Sequence, residues 1–354
     1  MNNVILGELM KFIESWFGVF CVLAALTGLF LAAIGDPLSG AIKFMLGGIL
    51  FFTGLKLDFS AAFNELIRPR MVVYLAIMRL IVLPIVMYQI ASLLLPLPLA
   101  IGVLIVAAMP SGNSCSALTD IVRGNAAMAL VGTVVTSMLC PVVTPWIIKL
   151  CCGYETSGGL IFLFKQAAFL ALILFVPLCA ALLLRKLFPK PIERRRNLWS
   201  ILAMVSLFLL ICGSLALVRE DFTGMIRSAP LQAVGLCAFM CFFSVFFHTV
   251  GYLMAPWRPV PDRVAVSVNI AYVNNGLAIV FAVEFFRQIP EIGAAAVLPA
   301  ILLEIPMDLA IIPLKAFASR HQKYLSEKLV AHISRDSTAI DVREKTVKKG
   351  KSKK

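Results

Sequence analysis

Apolar runs of roughly 20 residues, the length that crosses a bilayer core, recur along the whole chain with short polar joins between them. They fall near 16–35, 39–57, 71–95, 98–120, 126–150, 163–184, 197–218, 231–255, 264–286 and 292–316. The pattern predicts an all-α polytopic membrane protein with about ten transmembrane helices. A smaller set of spans with buried or re-entrant helices between them is the alternative. Two of the runs are interrupted midway: the fourth by Pro110-Ser111-Gly112-Asn113-Ser114, the ninth by Asn274-Asn275-Gly276. Lipid offers backbone amides no partner, so a helix breaks at membrane depth only where protein or a wet cavity satisfies the freed groups. Two breaks at corresponding places in two halves of a chain point to a midplane binding site between inverted repeats, the pattern of a transporter.

Composition sharpens this. Sixty per cent of residues are apolar, mean hydropathy is +0.94 and only 14% are charged, far too little polar surface for a soluble domain of this length. No nucleic-acid or zinc pattern is present. The nine cysteines sit mostly inside apolar runs, as at Cys21, Cys140, Cys179, Cys212 and Cys237, where a thiol packs as a small hydrophobe; the adjacent Cys151 and Cys152 are the exception. Residues 1–15 carry Lys11 against Glu8 and Glu14 and the first run is long, so it is expected to remain a span and not a cleaved leader.

The net charge of +13 is unevenly placed. With the N-terminus in the cytoplasm, the inward joins hold Lys56, Arg68, Arg70, Arg123, Arg185, Lys186, Lys190, Arg194–Arg196, Arg258, Arg263 and the lysine-rich tail. The outward joins hold only Lys149, Arg219, Arg227 and Arg287. The bias predicts both termini cytoplasmic. The tail either touches anionic lipid or is simply solvated. The organisation read from this is an N-terminal segment 1–15, a first five-helix repeat 16–184, a basic linker 185–196, a second repeat 197–318 and a tail 319–354. Pro141 and Pro145 follow the first break as Pro306 and Pro313 follow the second, which favours an internal duplication over chance kinks.

Three stretches carry a family resemblance. Thr53-Gly54-Leu55-Lys56-Leu57-Asp58-Phe59 looks like a Gly-Leu-x-Leu and Asp-Phe signature. Pro110–Ser116, followed by Thr119, Arg123, Gly124 and Asn125, looks like a first crossover motif, and Asn274-Asn275-Gly276-Leu277-Ala278 like a second. Together they resemble the bile acid:sodium symporter superfamily. The resemblance implies a core domain from spans 3–5 and 8–10, a panel domain from spans 1, 2, 6 and 7, and discontinuous spans 4 and 9 crossing at their unwound points. Half-helix N-termini there carry partial positive charge and favour an anion. Asn113, Ser114, Asn274, Asn275 and Gly276 are the expected substrate-binding residues, for a small organic anion such as a carboxylate; capping of kinked structural helices is the alternative for the asparagines.

At the cation positions the chain departs from the family. The family's Ser-Asn pair falls on Cys115 and Ser116, its helix-5 hydroxyls on Ala129 and Thr133, its glutamate and glutamine on Asn269 and Val273, and its helix-3 glutamine on Arg79. A sodium site from Ser116, Thr133 and Asn269 would lack a carboxylate, and a hard cation needs several oxygens. At the second position Arg79 would stand as a tethered cation, since like charges repel strongly in a low-dielectric pocket. Ionisable groups at membrane depth mark a pathway, a relay or a buried pair. Glu304 and Asp308, spaced i,i+4 on one face, together with His248, are therefore proton-coupling candidates; a salt bridge from the carboxylates to Arg79 is the other reading. Lys165 is expected to snorkel to the interface.

A cation-coupled secondary transporter of an organic anion explains breaks, repeat and buried charges together, with Na+ or H+ as the ion. A uniporter or channel on the same crossover is the alternative. A membrane enzyme would need a nucleophile–base or metal-ligand constellation, and none is visible. Short joins suggest a bacterial inner membrane.

Overall fold

The computed structural model describes residues 16–56, 69–153, 159–287 and 292–324, with positions 8, 9, 12 and 289. Lys11, Glu14, Leu57, Asp58, Phe59, Arg68 and the tail from 325 onward lie outside the described residues. Every regular element among the described residues is helical: α1 (Phe17–Phe30), α2 (Ala32–Ser39), α3 (Ile42–Gly54), α4 (Arg70–Leu94), α5 (Leu97–Ala108), α6 (Cys115–Ile121), α7 (Ala126–Cys152) and α8 (Gly159–Leu187). There follow α9 (Pro189–Arg194), α10 (Arg196–Leu217), α11 (Arg219–Ser228), α12 (Pro230–Leu253), α13 (Val260–Ala271), α14 (Asn275–Phe285) and α15 (Ala295–Tyr324).

Six of these, α4, α7, α8, α10, α12 and α15, are long and apolar enough to cross a membrane, and α1 with α2 makes a seventh if the pair, bent by 96°, is one span. The expected first span is thus not straight, because the helix breaks at Leu31. α3, α5 and α14 are apolar but only 13, 12 and 11 residues long. The expected fourth and ninth spans are each split, into α5 with α6 and α13 with α14. The basic linker is itself helical, with α8 running to Leu187 and α9 leading directly into α10.

Packing follows from small residues and proline. α10 lies along α1, α2 and α3, and at Gly28 and Gly213 the backbones come so close that a Cβ would meet a carbonyl of the facing helix. Without a hydrophobic drive between helices in lipid, such close approach is what associates them. α4, α5, α7, α12, α13 and α15 pack on one another, while α8 touches both α3 and α7. One core of buried residues runs through that second group and α14, including Leu104, Phe243, Phe247 and Phe281. Phe44, Leu93, Val142, Leu160, Phe164 and Leu231 point outward and are exposed, as expected of a surface that lipid covers. α7 continues through Pro141 and Pro145. In α4, Pro84 cannot donate to Leu80 and its ring crowds that carbonyl; a π turn at Met78–Val82 absorbs the mismatch and carries Arg79.

Candidate functional site

Pro110 has no N–H to continue α5, so Met109 turns extended after its own N–H reaches the Val106 carbonyl at 3.2 Å. In the other half the chain unwinds at Tyr272-Val273-Asn274, between α13 and α14. The two unwound segments satisfy each other. The Gly112 N–H donates to the Tyr272 carbonyl (2.8 Å) and the Asn274 N–H to the Pro110 carbonyl (3.0 Å), an isolated antiparallel bridge pairing Ser111 with Val273. Gly112 eases this approach, since a Cβ there would sit a tight 3.1 Å from the Val273 carbonyl oxygen. Freed amides at depth thus find protein partners, the condition for a break in lipid.

α7 and α13 lock the joint from the side. The Ser111 hydroxyl donates to the Asn269 carbonyl (2.8 Å), and the Ser111 N–H donates to the Thr136 hydroxyl (3.2 Å). Thr133 donates to the Gly112 carbonyl (3.3 Å). The Cys115 thiol lies against the Val268 and Tyr272 carbonyls at 3.8 and 3.6 Å. Thr144 donates to the Ala108 carbonyl (2.6 Å). Thr136 and Thr144 were not singled out from the sequence. With Thr133 and Cys140 they fall on one face of α7 at helical spacing, a polar stripe in an apolar helix that could have been read.

The bridge geometry makes a direct prediction. Ser111 and Val273 form a non-hydrogen-bonded antiparallel pair, whose Cα atoms stand about 4.5 Å apart, inside the range a disulfide spans. The double variant Ser111→Cys, Val273→Cys is expected to cross-link under mild oxidation, read by mass spectrometry as a peptide containing position 111 joined to one containing 273. No such peptide after full oxidation would show that the segments do not meet.

Of the expected substrate residues, those of the second break are buried and engaged. The Asn274 side chain caps α14, its oxygen accepting from the Leu277 N–H (3.1 Å), while its amide nitrogen is buried and unpartnered. The Asn275 amide donates to Glu304 Oε2 at 2.7 Å and lies 3.9 Å from Met307 Sδ; its own oxygen has no partner. A Cβ at Gly276 would meet Leu46 of α3 at 3.2 Å. At the first break, Asn113 is half-buried and Ser114 exposed. The two half-helices that begin here are unequal: α14 has 11 residues, α6 only seven with no side-chain cap. The longer helix amino end at the crossing is thus that of α14.

The cation candidates divide. Ser116 donates to the Ala126 carbonyl (3.0 Å), Thr133 to Gly112, and Asn269 through its amide to the Ala129 and Ala265 carbonyls (3.2 and 3.1 Å). The three share no partner. The Asn269 side-chain oxygen Oδ1 is unpartnered and packs against Gly132, where a Cβ would come within 2.6 Å of it. Arg79 is fully buried. It donates to the Ala107 carbonyl (2.5 Å) and lies 5.9 Å from the Phe247 ring centre. No ion pair among the described residues joins it to Glu304 or Asp308.

Glu304 is buried, and Asp308 one turn on is half-buried with one oxygen unpartnered. His248 is not in hydrogen-bond contact with either. Ser267 donates its proton to the His248 carbonyl (2.8 Å) and faces ring Nδ1 at 3.1 Å, so Nδ1 must carry the ring proton. The ring stands edge-on to Tyr272, 5.9 Å between centres. Lys165 is exposed on α8. Lys43 of α3 forms an ion pair with Glu284 of α14, and Arg219 of α11 one with Asp36 of α2 at 3.2 Å; neither pair was singled out from the sequence. An open groove of about 430 Å³ lies at the end of α6 away from the break, lined by Ile121, Val122, Ile311, Ile312 and Lys315 among others.

Comparison with known proteins places this geometry. The profile of the Sodium Bile acid symporter family matches residues 43–224, which takes in the first break and stops short of the second. A Bacillus subtilis (strain 168) protein described as an uncharacterized sodium-dependent transporter, YocS, is 25% identical over 297 residues, covering 82% of this chain and 88% of its own length. Two breaks bound to each other inside a bundle of apolar helices, and a profile match across half the sequence, lead to one statement: the chain belongs to the sodium bile acid symporter family, and it is an integral membrane transporter, not an enzyme.

Proposed function

We propose that the chain is a secondary active carrier of a small organic anion, a carboxylate or bile-acid-like molecule, bound beside the crossover. The observation that carries this is the unpartnered, buried amide of Asn274 at the amino end of α14, next to the bridge. A helix amino end with a spare donor suits an anion. Asn113, Ser114, Asn275 and Gly276 complete the binding residues.

The reading includes ten spans in a five-plus-five inverted repeat, with repeats 16–184 and 197–318 joined by 185–196. A core of α4–α7 and α12–α15 carries the crossover, and a panel of α1–α3, α8 and α10 rocks against it. What supports this division is the packing: α10 on α1–α3 in one group, the crossover helices in the other. Residues 1–15 and 319–354 then lie on the cytoplasmic side of a bacterial inner membrane, as the basic joins favour. A uniporter on the same crossover is the competing mechanism.

Two readings of the coupling ion have support. The relative's description as sodium-dependent favours Na+ held by Ser116, Thr133 and Asn269, with Cys115 beside them. The bond from Asn275 to Glu304 favours a proton on Glu304, with Asp308 and His248 as further relay candidates. It puts an ionisable group in direct bond with an expected substrate residue at the second break.

Counterflow of radiolabelled taurocholate and pantoate in proteoliposomes tests the carrier. Asn274→Ala is expected to lower counterflow at least tenfold. Losing the cap costs only about 1 kcal/mol of stability, so the melting temperature should fall by a few degrees. Wild-type counterflow in the variant, or flux without counterflow in the wild type, would remove the reading. Applying a sodium gradient and a pH gradient separately then decides the ion.

A further inference from the structure

We propose that Arg79 is a resident cation of the crossover: its fixed guanidinium does, at the carbonyl end of α5, what a bound monovalent metal ion would otherwise do. The inference rests on the carrier reading for its functional consequence, and on the geometry alone for the site.

α5 ends at membrane depth with carbonyls that Pro110 cannot serve. A helix C-terminus carries partial negative charge, and in broken transmembrane helices such ends coordinate cations. Here each of the last three carbonyls has a partner. Val106 accepts from the Met109 N–H, Ala108 from the Thr144 hydroxyl, and Ala107 from Arg79 Nη1. Of the three partners only Arg79 brings charge.

A merely structural donor would not need that charge. Ala108 is served by a neutral hydroxyl, and a neutral side chain could serve Ala107 in the same way. Burying a guanidinium is costly unless a counter-charge meets it. No carboxylate forms an ion pair with Arg79 among the described residues, and Nε and Nη2 have no hydrogen-bond partner. What faces the charge is the α5 carbonyl end and the Phe247 ring within cation–π reach. That is an environment of oxygen and π donors without a formal anion, the kind that receives a small cation.

The π turn is the device that delivers it. A widened turn at Met78–Val82 sets Arg79 into the core toward α5, and such turns recur at functional sites. The charge then lies three residues before Pro110, whose carbonyl accepts the Asn274 N–H. Positive charge is thus fixed near the crossing whichever way the carrier faces, so the transport cycle needs one fewer cation from solution.

The test uses the purified full chain and its Arg79→Lys and Arg79→Gln variants, melted in sodium, potassium or choline chloride at equal ionic strength. Counterflow is measured in the same salts. Arg79→Gln is expected to gain a saturable, sodium-specific rise in melting temperature several degrees larger than any shown by the wild type or Arg79→Lys, because an ion binding only the folded state stabilises it. Its counterflow should fall at least tenfold in choline and recover several-fold in sodium. Wild-type behaviour of Arg79→Gln in choline overturns the proposal, and so does the absence of any sodium-specific gain. Recovery of Arg79→Lys but not Arg79→Gln in every salt also overturns it, because the charge is then not replaceable by an ion. If neither variant is recovered, the wild-type sodium titration decides: flux requiring two sodium ions per substrate overturns the proposal, and one or none upholds it. The melts need no substrate, so a chain that carries none of the probes still reports on Arg79 while failing the carrier reading.

Discussion

Glu304→Gln is expected to abolish pH-driven accumulation while leaving counterflow within a few-fold of wild type. The two effects separate because of what the substitution keeps. Glutamine retains an acceptor for the Asn275 amide, now bonded to Glu304 Oε2 at 2.7 Å. The buried donor therefore keeps its partner, and the penalty of about 1–3 kcal/mol for an unsatisfied group is avoided. What is lost is the ability to alternate between charged and neutral. Asn275 at the second break bonds Glu304 and Asp308 stands one turn on along its own helix; neither replaces it at Asn275. Accumulation should fall to the equilibrium distribution. Asp308→Asn is the matched control, since it changes a neighbouring charge without touching the Asn275 bond. Undiminished accumulation by Glu304→Gln would put the coupling elsewhere and leave the sodium reading in possession.

Gly102→Val should prevent recovery of monodisperse protein, and Gly102→Ala should lower its melting temperature. A Cβ at Gly102 would lie 2.5 Å from the Ala296 carbonyl oxygen and within 2.9 Å of the Pro299 ring. Neither neighbour is the tip of a flexible side chain, so relief requires α5 to move away from the start of α15. Overpacking costs about 1–3 kcal/mol where side chains can give way, and rigid neighbours put alanine at the upper end of that range and valine beyond it. The contact also fixes the register of α15, hence the position of Glu304 against Asn275. Size-exclusion profiles and thermal melts of the two variants check the order. A valine variant that elutes and melts like wild type would show that the α5–α15 contact is looser than described.

Much of the fold was legible because a bilayer imposes length. Apolar runs place α4, α7, α8, α10 and α12 to within a few residues and α15 at its start, though it runs on to Tyr324, and Pro110 and Asn274-Asn275-Gly276 mark the breaks because proline and helix-capping residues have local consequences. What was hidden is what main-chain atoms do at a distance. The bridge between Ser111 and Val273 leaves no residue-type signature, since any non-proline backbone can form it. Arg79 suggested a partner in Glu304 or Asp308 because opposite charges are the visible attraction in a sequence; its partner is the Ala107 carbonyl, which every residue possesses. Asn275 was grouped with Asn274 as a substrate ligand by adjacency, yet the structure gives its amide to Glu304. The bend at Leu31 was likewise unreadable, as residues 16–35 hold only Gly18, Thr27, Gly28 and Gly35 within an apolar run and none of them stands at the bend.

The joint at the crossing has an evolutionary consequence. Its two hydrogen bonds, Gly112 N–H to Tyr272 and Asn274 N–H to Pro110, run entirely between main-chain atoms. The bridge itself asks only for room at 112 and the proline that ends α5, while the side chains of Ser111, Thr133 and Thr136 brace it. Side chains outside that brace are therefore free to be exchanged without loosening the joint beside which they stand. Ligand preference and mechanical integrity are separable traits in such a scaffold, so new specificities can be selected one lining residue at a time.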